Sequence, residues 1–118
     1  MEKKRILLVD DEEGIQILYR EEFEEEGFEV TTAYNGEEAL EQFSQELPDL
    51  VILDINMPGM NGIEVLRRMK EINPNLPVIL SSAYPEYKQD LSTWASEDYI
   101  VKSANMDELK NAVRKHLG

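Results

Sequence analysis

Acidic side chains follow two apolar runs that have the character of buried strands. Residues 5–9 precede Asp10 and Asp11, and residues 50–53 precede Asp54. Four consecutive apolar residues are typical of a strand covered on both faces, as in a parallel sheet. Sites in open α/β sheets form at the carboxyl ends of such strands. The pattern therefore predicts a site whose chemistry is carried by carboxylates.

Short apolar runs alternate with helical periodicity along the whole chain. The patterns predict strands over 5–9, 29–33, 50–53, 78–81 and 99–101, and helices over 13–26, 35–46, 62–72, 86–95 and 107–117. Five βα units without a linker or repeat predict one doubly wound α/β domain over residues 1–118. Right-handed crossovers to both sides of the first strand give a parallel sheet of order 2-1-3-4-5 with helices on both faces. That order places Asp10 and Asp11 across a crevice from Asp54.

The composition excludes several classes of site and partner. The 12 basic and 25 acidic residues give a formal charge of −13, which would repel phosphate backbones and anionic membranes. The absence of cysteine excludes disulfides, thiolate metal sites and a cysteine nucleophile. No apolar run approaches the roughly 20 residues that cross a bilayer. We expect a cytoplasmic domain that contacts neither nucleic acid nor membrane directly.

Three carboxylates in one crevice repel, so the site must hold a proton, a neighbouring cation or a metal ion. With oxygen ligands and a single distant histidine, the metal should be hard: Mg²⁺ first, with Mn²⁺ or Ca²⁺ as substitutes. Ser82 and Lys102 follow the fourth and fifth predicted strands. Lys102 could be a structural counterion, but lysine is also a common partner of phosphoryl oxygens. Together these groups suit a phosphoryl site in which Asp54 is the nucleophile.

These residues also match a family motif. The chain resembles the receiver domain of two-component response regulators over its whole length. The resemblance is carried by five ordered pieces: Asp10-Asp11, Asp54 opening Asp-x-x-Met-Pro-Gly-Met-Asn-Gly, Ser82-Ala83, Tyr99 and Lys102. It implies a flavodoxin-like fold and a phosphoacceptor rather than an enzyme, with phosphate passing to Asp54 from a histidine of a sensor histidine kinase or phosphotransfer protein.

The resemblance also assigns roles around Asp54. Asp11, Asp54 and the backbone carbonyl of Asn56 would hold Mg²⁺, with Asp10 assisting through water. Lys102 would pair with the phosphoryl oxygens. Two switch residues would respond, Ser82 by bonding the phosphoryl group and Tyr99 by rotating inward. The population of an output face would then shift, and we define this face by the predicted helix 86–95, strand 99–101 and helix 107–117.

Simpler roles compete with some of these assignments. Ser82 could merely start a turn, and Tyr99 could be a packed aromatic. Ile15 and Leu18 dock the kinase in related proteins, yet their helical spacing with Tyr19 and Phe23 predicts a buried apolar stripe.

Departures from the family pattern are concentrated around the phosphoryl site. Ser103 stands where proline, often preceded by a cis bond, is usual, and we predict a trans bond because a non-proline cis bond costs ~3 kcal/mol. Asn56 and Tyr84 lie two residues after Asp54 and Ser82 and would tune dephosphorylation. Tyr84 should shield the phosphoryl group from water, so its replacement by alanine should shorten the phosphoryl half-life.

Two other functional classes remain open. An aspartyl-nucleophile phosphatase would need a second acid where Asn56 stands, together with a cap domain. A receiver-like scaffold independent of phosphorylation is opposed by the intact acids and favoured by Ser103. We expect a monomer, with a phosphorylation-dependent dimer as the alternative. The chain is either a stand-alone regulator or a receiver cut from a longer one, and the sequence does not identify its downstream protein.

Overall fold

The computed structural model describes residues 3–55, 62–82, 98–102 and 106–117, with the backbone alone at 98, 99 and 101. Five strands lie within these ranges: β1 (Arg5–Val9), β2 (Glu29–Ala33), β3 (Leu50–Asp54), β4 (Val78–Ser82) and β5 (Asp98–Val101). Four helices accompany them: α1 (Glu13–Glu25), α2 (Gly36–Gln45), α3 (Gly62–Ile72) and α4 (Asp107–Leu117). The predicted helix 86–95 lies outside the described residues. The other predicted elements are confirmed to within a residue or two.

The strands form one parallel sheet of order β2-β1-β3-β4-β5. This order confirms the doubly wound topology, with its switch point between β1 and β3. Asp54 and Ser82 are the last residues of β3 and β4, rather than residues just beyond them. Asp10 and Lys102 directly follow β1 and β5. All four functional candidates therefore lie at the same edge of the sheet, because parallel strands end together.

Apolar side chains cover the sheet on both faces, which explains why β1, β3 and β4 are almost continuously apolar. Alternate strand residues point to opposite faces. Leu7, Leu53 and Leu80 pack on the face covered by α2 and α3, where Phe43 and Met69 are fully buried. The other face is covered by α1 and α4; there Ile6, Leu8, Ile52 and Ile79 pack with Tyr19, Phe23, Leu109 and Val113.

Local sequence signals set where helices begin and end. Asn35 caps α2, because its side-chain oxygen accepts the amide of Glu38 at 2.8 Å. Gly27, with φ of +98°, ends the turn after α1 in a conformation that side chains disfavour. Between α1 and α4, Lys110 Nζ lies 2.6 Å from Glu22 Oε2 and Arg114 Nη2 lies 2.7 Å from Glu26 Oε1. These two ion pairs connect α4, near the C-terminus of the chain, to the end of α1, near the N-terminus.

The apolar stripe predicted on α1 is partly wrong. Tyr19 and Phe23 are buried and Ile15 is half-buried against the core, but Leu18 is 41% exposed. Gln16 takes a buried position instead, with only 3% of its surface exposed. A glutamine is buried only where its amide finds partners, and spacing alone could not reveal those partners. None of the described helices is long and apolar enough to cross a membrane.

Candidate functional site

The carboxyl ends of β1, β3 and β5 bring one cation and two buried carboxylates together. Asp10 and Asp54 are 2% and 4% exposed. Lys102 Nζ lies 2.7 Å from Asp10 Oδ2 and 3.4 Å from Asp54 Oδ2. The backbone amide of Lys102 donates to the carbonyl of Ser82 at 2.6 Å, which fixes the end of β5 against β4. The fold thus brings Asp10 and Asp54 close to Lys102, as the strand order predicts.

The ammonium of Lys102 is held charged by its neighbours. Burial by itself would lower the pKa of Lys102, but the hydrogen bond and charge of Asp10, then the charges of Asp54 and Glu12, outweigh burial and raise it. Two carboxylates that would otherwise repel in a low dielectric thereby share one positive charge. The positive charge of Lys102 is therefore retained at the site, beside Asp10 and Asp54.

A fourth acid, Glu12, lies beside the predicted Asp10, Asp11 and Asp54, and the sequence motif did not include it. Carboxylate oxygens of Asp10, Asp11 and Glu12 all lie within 4.8 Å of one another, and Glu12 Oε1 is 3.7 Å from Lys102 Nζ. Asp11 and Glu12 are exposed. The signal was available, since Glu12 directly follows Asp10-Asp11 in the sequence. All-oxygen donors of this kind fit a hard divalent cation such as Mg²⁺.

Asp10 is held through all of its polar atoms. Its amide donates to the carbonyl of Ala33 at 3.1 Å, and its own carbonyl accepts Gln16 Nε2 at 2.7 Å. Its Oδ1 accepts the amide of Glu12 at 2.9 Å, while Oδ2 faces Lys102. The rotamer of Asp10 is therefore fixed before any ligand arrives, which is the preorganisation a charged site requires.

A buried phenol and a buried hydroxyl lie on the α1 side of the site. Burial raises the pKa of Tyr19; the charge of Lys102 lowers it, that of Asp10 raises it, and the nearby Ser81 hydroxyl lowers it. Ser81 pairs with Asp54 in register and is 2% exposed. Among the described residues its Oγ completes no hydrogen bond of standard geometry. Sequence reasoning assigned neither residue to the site.

Other predicted site residues are placed less completely. Ser82 is fully buried at the end of β4, in register with Val101, and Tyr99 lies in β5 in register with Leu80. The side chain of Tyr99, the carbonyl of Asn56, Tyr84 and the bond before Ser103 lie outside the described residues. The proposed switch, dephosphorylation and trans-bond assignments therefore stay predictions. Leu18 is accessible for docking, whereas Ile15 is half-buried.

Comparisons with known proteins agree with this geometry. Residues 6–114 match the family model of the response regulator receiver domain. Sporulation initiation phosphotransferase F of Bacillus subtilis is 43% identical over 119 residues, covering 99% of this chain and 96% of the relative. A crystal structure of the response regulator TrrA of Thermotoga maritima with Mg²⁺ and BeF is 53% identical, with a TM-score of 0.90 and coverage of 95% and 97%.

A second structural match comes from a crystal structure of the response regulator TrrA in complex with the histidine kinase ThkA. It has 51% identity and a TM-score of 0.90, covering 98% of this chain and 99% of the matched one. The similarity extends over essentially the entire chain in each case and includes the strand ends that carry Asp10, Asp54 and Lys102. The chain belongs to the response regulator receiver domain family of two-component signalling systems.

Proposed function

We propose that Asp54 accepts a phosphoryl group from a histidine of a sensor kinase or phosphotransfer protein. The observation that carries this proposal is the buried Asp54 carboxylate 3.4 Å from the Lys102 ammonium, beside an acidic cluster open to solvent. An Asp54 oxygen attacks phosphorus as the P–N bond to imidazole breaks, and the imidazole nitrogen then takes a proton from water. Lys102 compensates the charge of the incoming phosphoryl oxygens.

Asp10, Asp11 and Glu12, with Asp54 across the crevice, are the residues that would hold Mg²⁺. Bound there, the ion supplies charge neutralisation for the phosphoryl oxygens. Mn²⁺ would substitute, because the donors are oxygens alone. The TrrA structure with Mg²⁺ and BeF supports this metal, since that relative has the same fold at 53% identity. The contribution of the Asn56 carbonyl belongs to the same proposal.

The partner surface for the kinase includes α1. Leu18 is 41% exposed and Ile17 is 55% exposed, so α1 presents apolar side chains that the core does not use. The structure of ThkA with TrrA supports a kinase as the partner. Ile15 is a weaker candidate than predicted, because it packs against the core. Ile17 was missed, since it falls outside the spacing of the predicted stripe.

The structural change caused by phosphorylation would pass to the output face through β4 and β5. The amide of Lys102 bonds the carbonyl of Ser82, so a change at either strand end reaches the other. We infer that Ser82 and Tyr99 shift with the phosphoryl group and change the population of the output face, of which α4 is a part. The domain acts stoichiometrically in the cytoplasm, as a phosphoacceptor and not as an enzyme.

The test is incubation with acetyl phosphate and Mg²⁺, followed by intact-protein mass. A single labile phosphoryl adduct is expected in the parent protein and absent in Asp54→Asn. Asp49→Asn is a matched control, because Asp49 directly precedes β3 at the opposite end of the strand and its side chain accepts the amide of Arg5; it should keep the adduct. Catalytic turnover of small phosphate esters would instead indicate an aspartyl-nucleophile phosphatase. If no adduct forms and no ester is hydrolysed, the result would indicate a receiver-like scaffold that does not depend on phosphorylation.

A further inference from the structure

Gln16 is a buried amide whose two donors serve the loop of the acidic cluster. Its Nε2 donates to the carbonyl of Asp10 and to the carbonyl of Ala33, each at 2.7 Å, and the side chain is 3% exposed. A primary amide has two N–H groups, so both are used. The opposite orientation of the amide would set its oxygen against two carbonyl oxygens, which fixes the assignment of nitrogen and oxygen.

The two carbonyls lie at the ends of neighbouring strands. Ala33 is the last residue of β2, and Asp10 directly follows β1. The carbonyl of Ala33 also accepts the amide of Asp10 at 3.1 Å. Gln16 therefore ties the start of the 10–12 loop to the edge strand, at the point from which the carboxylates of Asp10, Asp11 and Glu12 extend.

We propose that Gln16 is a positioning residue for divalent cation binding, acting through the backbone of the 10–12 loop. Three carboxylates within 4.8 Å repel one another, and the loop that carries them would relax outward if its first carbonyl were released. The bonds of Gln16 oppose that relaxation while the site awaits its cation. This inference rests on the proposed function, because it assumes that the acidic cluster binds Mg²⁺.

A purely structural role would look different. In that case Gln16 would only satisfy two buried carbonyls, and its loss would lower stability without altering the cation site. Gln42 offers the matched comparison: its Nε2 donates to the carbonyl of Thr32 at 2.7 Å, on the same strand β2 but from α2. Thr32 precedes Ala33 by one residue, yet Gln42 makes no bond to the 10–12 loop among the described contacts.

The experiment compares Gln16→Met with Gln42→Met in the full chain by following amide signals in an NMR titration with MgCl₂. Partners behind metal ligands typically affect affinity 10- to 100-fold, so the Mg²⁺ dissociation constant should rise about tenfold or more in Gln16→Met. It should stay within about twofold of the parent in Gln42→Met, since small indirect effects are of that size. If Gln16→Met fails to fold, Gln16→Asn carries the same expectation, because its shorter amide cannot reach both carbonyls.

A second measurement requires no metal. The amides of Asp10 and Glu12 donate to Ala33 O and Asp10 Oδ1, and their hydrogen exchange should be faster in Gln16→Met than in Gln42→Met. Equal Mg²⁺ affinity in the two folded variants would overturn the positioning role. A parent protein that binds no Mg²⁺ would instead overturn the proposed function, while the exchange rates would still report whether Gln16 holds the loop.

Discussion

Gly62 is the position where even a methyl group should disturb Asp54, the proposed phosphoacceptor. It begins α3, and its amide donates to the carbonyl of Ile55 at 2.9 Å. A Cβ built on Gly62 would lie 2.5 Å from the carbonyl oxygen of Asp54 and 2.6 Å from Cα of Ile55. Both are backbone atoms at the end of β3, so neither can rotate away. Gly62→Ala must therefore move α3 or the end of β3.

The size of the effect follows from these distances. Ordinary carbon contacts are about 3.5 Å, so close to 1 Å of separation must be created. Overpacking of this kind costs about 1–3 kcal/mol. Alanine would return up to about 1 kcal/mol through helix propensity, less at a first helical position. We expect a net loss of about 1–2 kcal/mol in unfolding free energy, and a slower reaction because a 1 Å misplacement can cost about 100-fold in rate.

Urea unfolding measures the stability, and the initial rate of adduct formation with acetyl phosphate measures the reaction. Gly14→Ala is the control, since a Cβ on Gly14 in α1 meets nothing within 4 Å. It should be neutral or stabilise by up to about 1 kcal/mol. If Gly62→Ala matched Gly14→Ala in both stability and rate, the close approach of α3 to Asp54 would not constrain the site.

Three further outcomes follow from the site and from α1. Lys102→Met should destabilise the protein by about 3 kcal/mol, since Asp10 and its neighbours lose their cation, and Mg²⁺ should restore more stability than in the parent; an unaffected urea midpoint would refute this. In the folded protein the pKa values of Tyr19 and Lys102 are raised above their ordinary values of 10.0 and 10.5. The protonated forms of both groups therefore contribute to folding stability, fully below those ordinary values, and the contribution is lost as the pH rises through the raised pKa values. Tyr19→Phe should flatten the alkaline fall of the urea midpoint, and an identical pH profile would contradict the assignment. Leu18→Ala should weaken kinase binding, measured by calorimetry, more than Ile72→Ala, which truncates a residue on α3 that is 59% exposed against 41% for Leu18; equal effects would exclude docking through Leu18.

Strand order and the convergence of Asp10, Asp54 and Lys102 could be predicted because they depend on two simple regularities. Buried parallel strands are continuously apolar, and parallel strands end at the same edge of the sheet. Any polar residue just after such a run is therefore directed to the site. Helical spacing is a weaker guide on α1, because the predicted apolar stripe includes the exposed Leu18 and omits the buried Gln16.

The burial of Tyr19 was predicted, but the positions of Gln16 and Tyr19 beside the site were not, for a physical reason. Each meets polar partners on other elements: Gln16 donates to two carbonyls, and Tyr19 lies near Lys102 and the hydroxyl of Ser81. Helical periodicity reports only which face a residue occupies, not whether that face meets a carbonyl or a side chain. Glu12 was missed differently, because Asp10 and Asp11 already completed the expected motif.

The ion pairs between α4 and the end of α1 add a polar connection between two helices that already pack on the same face of the sheet. Lys110 and Arg114 on α4 pair with Glu22 on α1 and with Glu26 directly after it, and α1 is the helix that also exposes Leu18. Two binding equilibria that are coupled obey reciprocity. If a downstream protein that displaces α4 changes the affinity for the kinase by some factor, the kinase changes the affinity for that protein by the same factor. A single coupling free energy would then govern both the dissociation of the kinase and the binding of the downstream protein.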